Sequence, residues 1–305
     1  MVEKVIILGG GPAGLSAAIY TAREGFLPLV IAGFTAGGQL MLTTIVENIP
    51  GFPEGIMGPD LVLHMRKQAE KFGTRFIDSN ATAVDFKSRP FKVTVDGELH
   101  EAETVIIATG ANAKWLGLES ERKYIGHGVS SCGTCDGPFF KDKDVIVVGG
   151  GDTAMEDSLF LTRFARSVTI VHRRDSFKAS KIMAERALKN PKIKVMWNSA
   201  IEEIKGDSSV RGVRIKNLVS NEVTEMPIDG IFVAIGYAPN TEIFKGQLEL
   251  DGNGYVVTRD EVLTGIDGLY VAGDVADHFY RQAATASGSG VKAALHVREH
   301  FQKKA

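Results

Sequence analysis

The feature that most restricts what this chain can fold into is a repeat. Val5-Ile6-Ile7-Leu8-Gly9-Gly10-Gly11-Pro12-Ala13-Gly14-Leu15 and Val145-Ile146-Val147-Val148-Gly149-Gly150-Gly151-Asp152-Thr153-Ala154-Met155 share one order: apolar run, glycine turn, helix start. Gly9 and Gly149 stand 140 positions apart. Short β-branched runs bounded by glycine read as buried parallel strands. A second strand trails each copy, Leu29-Val30-Ile31-Ala32 after the first and Val168-Thr169-Ile170-Val171 after the second. Each copy later yields another strand that ends at glycine, Val105 to Gly110 and Ile231 to Gly236. These are two strand–helix–strand dinucleotide-binding units.

The tail does not belong with the second copy. Leu269-Tyr270-Val271-Ala272-Gly273-Asp274 is one more buried strand, followed by a Gly/Ala/Ser-rich helix start from Ala284 to Gly290. The simplest arrangement inserts the second unit into the first. The expected fold class is therefore α/β, with two Rossmann-like, three-layer dinucleotide-binding domains, the second inserted into the first. One domain is expected to comprise 1–112 and 242–305, the other 113–241, with crossover strands at Ala111 to Trp115 and Ala238 to Thr241. A length of 305 residues suits two such domains, since single cores stop growing at about this size.

Lys+Arg 35 against Asp+Glu 37 leaves a net charge of −2, which points away from nucleic acid and from anionic membrane surfaces. No uninterrupted apolar run reaches the roughly 18 residues of a membrane span. The apolar run after Lys4 is broken by Gly9 to Pro12 with no small-residue cleavage site after it, so no signal peptide is expected. The two cysteines form one Cys-x-x-Cys, which reads as redox or metal chemistry in a reducing compartment. A cytoplasmic protein is the expectation.

In the first glycine motif, Gly9 makes the tight turn, Gly11 lets a pyrophosphate approach, and Gly14 lets helix and strand pack closely. The helix N-terminus offers N–H groups and a favourable dipole to the anion. The acid expected about 20 positions on is missing: Ala32 and Gly33 stand there, and Glu24 falls within the helix. These residues alone leave ribose recognition unassigned.

The second motif, Gly149-Gly150-Gly151-Asp152-Thr153-Ala154, is the G-x-G-x-x-A variant. Its next strand ends in His172-Arg173-Arg174, with Lys178 close by, instead of an acid. Guanidinium groups bind a ribose 2′-phosphate through paired hydrogen bonds, whereas an acid would repel it. NADPH is therefore expected here, the competing reading being a solvated basic turn.

Cys132-Gly133-Thr134-Cys135-Asp136-Gly137 carries the candidate chemistry. A reactive pair needs one thiol lowered to thiolate by its surroundings. Zinc would need about four ligands, and His127 is the nearby addition to the two sulfurs, so no metal is expected. An inert buried pair is the other alternative.

Several further segments carry a resemblance. Gly37-Gly38-Gln39-Leu40, Thr43-Thr44 and Val46-Glu47-Asn48-Ile49-Pro50-Gly51-Phe52 are similar to the flavin-embracing loop of low-molecular-weight thioredoxin reductases. Gly273-Asp274-Val275 with Tyr280-Arg281-Gln282-Ala283 resembles that family's C-terminal FAD signature, and His172 to Ala179 resembles its basic block. The resemblance spans essentially the whole chain. It implies FAD held by Gly9, Gly11, Pro12, Ala13, Gly14, Gly33, Gly37, Gly38, Gln39, Leu40, Thr44, Asn48, Thr109, Gly110, Gly273, Asp274, Arg281, Gln282 and Ala283. Asp274 would take the ribityl chain, its competing role being that of a helix cap. NADPH would be held by Gly149, Gly150, Gly151, Asp152, Thr153, Ala154, His172, Arg173, Arg174, Lys178, Ile235 and Gly236.

The same resemblance implies that Cys135 lies by the flavin, that Cys132 attacks the disulfide of thioredoxin or a thioredoxin-like protein, and that Asp136 handles the proton. It implies a homodimer and a rotation of one domain against the other between half-reactions. Two positions depart from the family's pattern. Gly133 replaces the usual Ala, which would loosen the turn, and Lys178 replaces an Arg, which keeps the charge and loses the planar fork. His296 and His300 read as bystanders on a surface helix. The rival readings are the flavoprotein of a peroxidase system, whose extra N-terminal thiol domain has no counterpart before Lys4; a disulfide reductase with another electron donor; and a non-catalytic redox-sensing flavoprotein.

Overall fold

The computed structural model describes residues 1–304. Its chain divides into two compact units, Met1–Asn112 with Ala238–Ala305, and Ala113–Tyr237. The α/β class expected from the sequence is the one observed.

In the first unit the strands Arg75–Ile77, Leu29–Ile31, Val2–Leu8, Glu98–Ile107 and Leu269–Val271 run parallel in that order. Two antiparallel strands, Phe91–Val95 and Ala81–Asp85, extend the sheet from the first half of Glu98–Ile107. Val5, Ile6, Ile7 and Leu8 are buried without a break, as a strand covered on both faces must be. Val5 and Ile7 face one cluster, Ile6 and Leu8 the other, because side chains alternate along a strand.

The helices Pro12–Arg23 and Ala283–Lys304 cover the first of these faces through small residues: Ala13, Ala17 and Ala18 against Ala286, Ala293 and Ala294. Their approach is so close that a Cβ on Gly290 would sit 2.1 Å from the carbonyl oxygen of Ala13. The antiparallel strands and the segment around Phe244 and Val256 cover the other face. Helix, sheet and meander make three layers.

In the second unit five strands are all parallel, in the order Val129–Ser130, Gly230–Val233, Asp144–Val148, Ser167–Val171, Ile193–Met196. The helices Asp152–Leu161 and Lys181–Lys189 pack on one face around Met155, Leu161 and Ala187. A three-stranded antiparallel sheet, Ser199–Gly206, Val210–Asn217 and Val223–Pro227, covers the other through Ile201, Ile204, Val213 and Ile215. The two short strands at the chain crossings, Ala111–Ala113 and Tyr237–Pro239, pair with each other.

The glycine turns occupy equivalent places in the two parallel sheets. Gly9 and Gly149 both hold positive φ (118° and 155°), and each donates its N–H to the end of the neighbouring strand, at Ile31 and Val171. A side chain at either position would strike a carbonyl, at 2.1 Å from Ala108 O and 2.4 Å from Ala234 O. Glycine is required on both counts. Among the described residues no helix is long and apolar enough to cross a membrane.

Candidate active site

The first unit gathers the residues proposed for one dinucleotide around the start of helix Pro12–Arg23. Pro12 opens that helix without an N–H of its own, and Gly11 caps it with no side-chain bond, so the first-turn N–H groups have no side-chain acceptor there. The space above Gly11 is open as far as the Gly37 carbonyl, 4.0 Å from where a Cβ would lie. Gly33 follows the second strand with φ 84°, and Asn80 Oδ1 accepts from the N–H of Phe34 at 3.2 Å. Asn80 therefore supplies a polar oxygen where the sequence lacks an acid.

Four distant segments converge with this loop. Gln39 Nε2 donates to Asn112 Oδ1 (3.3 Å), Asn112 Nδ2 to Asn240 Oδ1 (3.0 Å), and Asn240 Nδ2 to the Thr109 carbonyl (2.9 Å). Thr109 Oγ1 and the Gly110 carbonyl both bond back to Asn240. Thr44 accepts from the Gly58 N–H, next to Leu40, whose carbonyl a Cβ on Gly58 would strike at 2.1 Å. Asn48 bonds to Gln282, in the turn just before Ala283 begins the last helix. Gly273 lies against Ala13, and its N–H donates to Ser289 Oγ at 2.8 Å.

Asp274 is the telling residue of this cluster. Its Oδ1 is fully buried and makes no hydrogen bond within the protein. Burial pushes its carboxyl up to about 7, with repulsion from Asp277 adding to the effect and Arg281 opposing it. A buried carboxylate oxygen without a donor is costly unless something supplies one. The ribityl hydroxyls of FAD are donors of that kind, so the residues present fit the group.

In the second unit the segment after the basic turn is laced onto the glycine loop. Gly150 O accepts from the N–H groups of Lys178 (2.7 Å) and Ala179 (3.0 Å), and Asp152 Oδ1 accepts from both N–H and Oγ of Ser180, each at 2.8 Å. Arg173, Arg174 and Lys178 are exposed, whereas Thr153 is half-buried and Ala154 fully buried. Ile235 and Gly236 follow the strand Gly230–Val233, just past Ala234, whose carbonyl lies against Gly149.

His172 does not join the exposed cations. Its ring is buried directly beneath Gly150, where a Cβ would lie 2.2 Å from it, and it packs among Phe177 and Trp197. Its Nε2 is 3.0 Å from the Ser176 carbonyl. Burial holds its pKa below the ordinary value, and Arg174 and Arg173 push the same way against the Ser176 hydrogen bond. It supports the loop from below and adds no positive charge to the surface.

The cysteines sit at a one-turn helix, Gly133–Asp136, capped by Cys132. They form a disulfide, with Cys132 Sγ accepting from the Cys135 N–H at 3.2 Å. Ser130 Oγ accepts from the Cys132 N–H at 3.0 Å, and Tyr237 OH donates to the Ser131 carbonyl at 2.9 Å. Both cysteines are half-buried, so neither reads as an inert core residue. Burial raises the Asp136 carboxyl above the usual carboxylate range, against a hydrogen bond from Ser130. A carboxyl whose pKa burial raises, next to a disulfide, is placed to give up a proton when the bond is reduced. Among the described residues no cluster of three or more His, Cys, Asp or Glu is placed to hold a metal ion.

Asn80, Asn112, Asn240 and Ser289 were not legible as site residues. Asn80 and Asn240 sit in loops, Asn112 in the short strand Ala111–Ala113 and Ser289 inside the last helix, with no motif of their own. His300 also departs from expectation. It is buried, with Nδ1 3.2 Å from Asp267 and its ring against Gly268, because this face of the last helix is covered by the segment that precedes strand Leu269–Val271.

The comparisons agree with this geometry. The family model described as pyridine nucleotide-disulphide oxidoreductase matches residues 3–290. The thioredoxin reductase of Rickettsia prowazekii (strain Madrid E) is 50% identical over 305 residues, with 98% of each chain covered. That of Streptomyces coelicolor is 52% identical over 297 residues, covering 96% of this chain and 92% of the relative. A solved structure of thioredoxin reductase from Giardia duodenalis superposes with a TM-score of 0.93 at 40% identity, covering 98% of each chain.

Proposed function

The chain belongs to the pyridine nucleotide-disulphide oxidoreductase family, and from that premise we propose that it is a thioredoxin reductase fed by NADPH through FAD. The observation that carries this reading is the half-buried Cys132–Cys135 disulfide, next to Asp136 and in the same unit as the glycine loop and the Arg pair.

The first unit would be the FAD-binding domain. Gly9, Gly11 and Gly14 give the pyrophosphate a helix start, Asp274 takes the ribityl hydroxyls, and the Asn48–Gln282 pair and Arg281 line the remainder. The second unit would be the NADPH-binding domain, with Gly149 to Ala154 under the pyrophosphate and Arg173, Arg174 and Lys178 at the 2′-phosphate. Bound FAD would relay the electron pair of NADPH to the disulfide.

The protein's own residues do the rest. The S–S bond between Cys132 and Cys135 breaks as it takes two electrons, and Asp136 supplies a proton to the sulfur that leaves. Cys132 then returns this proton to Asp136 and, as thiolate, attacks the disulfide of thioredoxin or a thioredoxin-like protein, whose departing sulfur Asp136 protonates. Cys135 resolves the mixed disulfide, the internal S–S bond reforms, and the partner departs with two thiols. NADPH and the disulfide belong to one unit and the flavin to the other. A rotation about the crossing strands would present them to the flavin in turn.

A homodimer fits the exposed apolar residues Met41, Leu42, Ile45, Met57 and Leu63, which fall within one stretch of the first unit. A reducing cytoplasm fits a chain whose two cysteines form a working pair. The test is to record the flavin spectrum of the purified protein, then add NADPH anaerobically with thioredoxin and a disulfide dye. Flavin bleaching followed by thioredoxin-dependent dye reduction is expected. A yellow protein that NADPH fails to bleach would remove the nicotinamide from the scheme.

A further inference from the structure

Gly133, inside the redox turn, is buried, and its backbone is not in the left-handed region. Conformational freedom therefore does not explain a glycine there. Space does. A Cβ built on Gly133 would lie 2.6 Å from Oδ1, 2.8 Å from Cγ and 3.0 Å from Cβ of Asp157. All three atoms belong to one side chain, itself 8% exposed, on the helix Asp152–Leu161.

The conflict lies with the carboxyl group: Oδ1 and Cγ would have to swing away, whereas Cβ, at 3.0 Å, need give by only a few tenths of an ångström. Asp157 is buried, so turning its carboxyl group aside would drive it into its packed neighbours. Met155, on the same helix, and Ser158, the next residue, are fully buried, so the helix cannot back away cheaply in a close-packed interior. The carboxyl group of Asp157 thus occupies the volume that a methyl group at 133 would fill. Gly133 opens the turn that places the Cys135 N–H on Cys132 Sγ. What presses on Gly133 therefore acts on the geometry of the sulfur pair.

We propose that Asp157 is a positioning residue for the Cys132–Cys135 pair, and that Gly133 and Asp157 form one coupled unit in which the glycine exists to seat the carboxyl group. The helix that begins at the second glycine loop thereby braces the redox turn from below. The inference rests on the reading of the cysteines as the working redox pair. The disulfide form, closed over Gly133, is the state that the Asp157 contact supports. A methyl at 133 forces the closed turn away from Asp157, whereas the dithiol, no longer tied at both ends, relaxes around it. Gly133→Ala is therefore expected to disfavour the disulfide relative to the dithiol.

The test compares Gly133→Ala, Asp157→Ala and the double variant as flavin-loaded proteins. Each is equilibrated in dithiothreitol redox buffers and its thiols are counted, a readout that needs neither NADPH nor thioredoxin. Gly133→Ala should shift the equilibrium about tenfold towards the dithiol, about 30 mV for this two-electron couple. The double variant should return to within about twofold of wild type, because removing the carboxyl group makes room for the methyl. The rate of thioredoxin reduction should fall and recover in parallel.

If Gly133→Ala matches wild type, or the double variant is no better than the single, the coupling is refuted. A Gly133→Ala protein that fails to fold while the double variant folds would support it, and failure of both would overturn it. A wild type with the expected equilibrium but no NADPH-driven thioredoxin reduction would indict the functional reading and leave this coupling standing.

Discussion

Asn48 donates through Nδ2 to Oε1 of Gln282 at 3.0 Å, joining two residues 234 positions apart. The bond ties the loop after the 3-10 turn Gly38–Leu42 to the turn that opens the last helix, so the inserted unit leaves the first unit's site whole. In the same unit Gly273 lies against Ala13 of the first glycine loop, and Asp274 keeps a buried oxygen without a donor in the protein. That is polar capacity of the kind a large polar cofactor uses.

Asp274 should dominate flavin affinity. Hydrogen bonds to a charged group contribute about 1.5–3 kcal/mol, so Asp274→Ala should weaken FAD binding roughly ten- to a hundredfold. Flavin fluorescence released on dilution measures this directly. Full retention of the flavin would show that Asp274 does not hold the ribityl chain.

Asp136 should set a limb of the pH profile. Its carboxyl is raised by burial, and its protonated form is the proton donor, so disulfide reduction should be fast below its pKa and slow as pH rises through it. Asp136→Asn should lower the rate throughout and flatten that limb in stopped-flow traces. The same elevation carries a stability sign. Between about pH 4 and the elevated value, the folded protein binds a proton that the unfolded chain has released. This group's contribution to stability is therefore lost as pH rises across that window, and thermal melts of Asp136→Asn should lack the trend.

Cofactor preference should follow the exposed cations. Charge-assisted hydrogen bonds contribute about 1.5–3 kcal/mol, so Arg173→Ala or Arg174→Ala should raise KM for NADPH roughly ten- to a hundredfold and leave KM for NADH nearly unchanged. Lys178→Arg should tighten NADPH by a few-fold. Steady-state kinetics with both nucleotides check this. Equal losses for NADPH and NADH would relocate the 2′-phosphate. His172→Ala should act differently, loosening the loop above it and weakening both nucleotides alike, because the buried ring supports Gly150 and carries no surface charge.

The contrast between His172 and its neighbours shows what a sequence can carry. Glycine turns, continuous apolar strands and the Cys-x-x-Cys are local patterns, and local backbone geometry demands them, so both parallel sheets and the redox turn were legible. His172, Arg173 and Arg174 read as one basic cluster, yet the first residue past the strand lies buried under the loop while the next two are exposed. Asn112 and Asn240 close a hydrogen-bond chain between crossings more than a hundred residues apart, and no period or spacing announces such a pair. Gly133 looked like a loosened turn. Its reason, the carboxyl group of Asp157, lies on another helix and becomes visible only once the two are packed.

Movement between the units should be required for turnover. An engineered cross-link between them should abolish NADPH-driven thioredoxin reduction while leaving one half-reaction intact. Reductive cleavage of that link should restore the rate. Unchanged turnover in the linked protein would eliminate the rotation.

The central claim is that electrons leave through Cys132–Cys135, and an anaerobic NADPH titration tests it most directly. Flavin and disulfide each take one electron pair, so the wild type should consume about two equivalents of NADPH per chain before reduction is complete. Cys132→Ser should consume about one, bleach its flavin normally, and reduce thioredoxin at least about a thousandfold more slowly. A Cys132→Ser protein that still reduces thioredoxin at the wild-type rate would contradict the account.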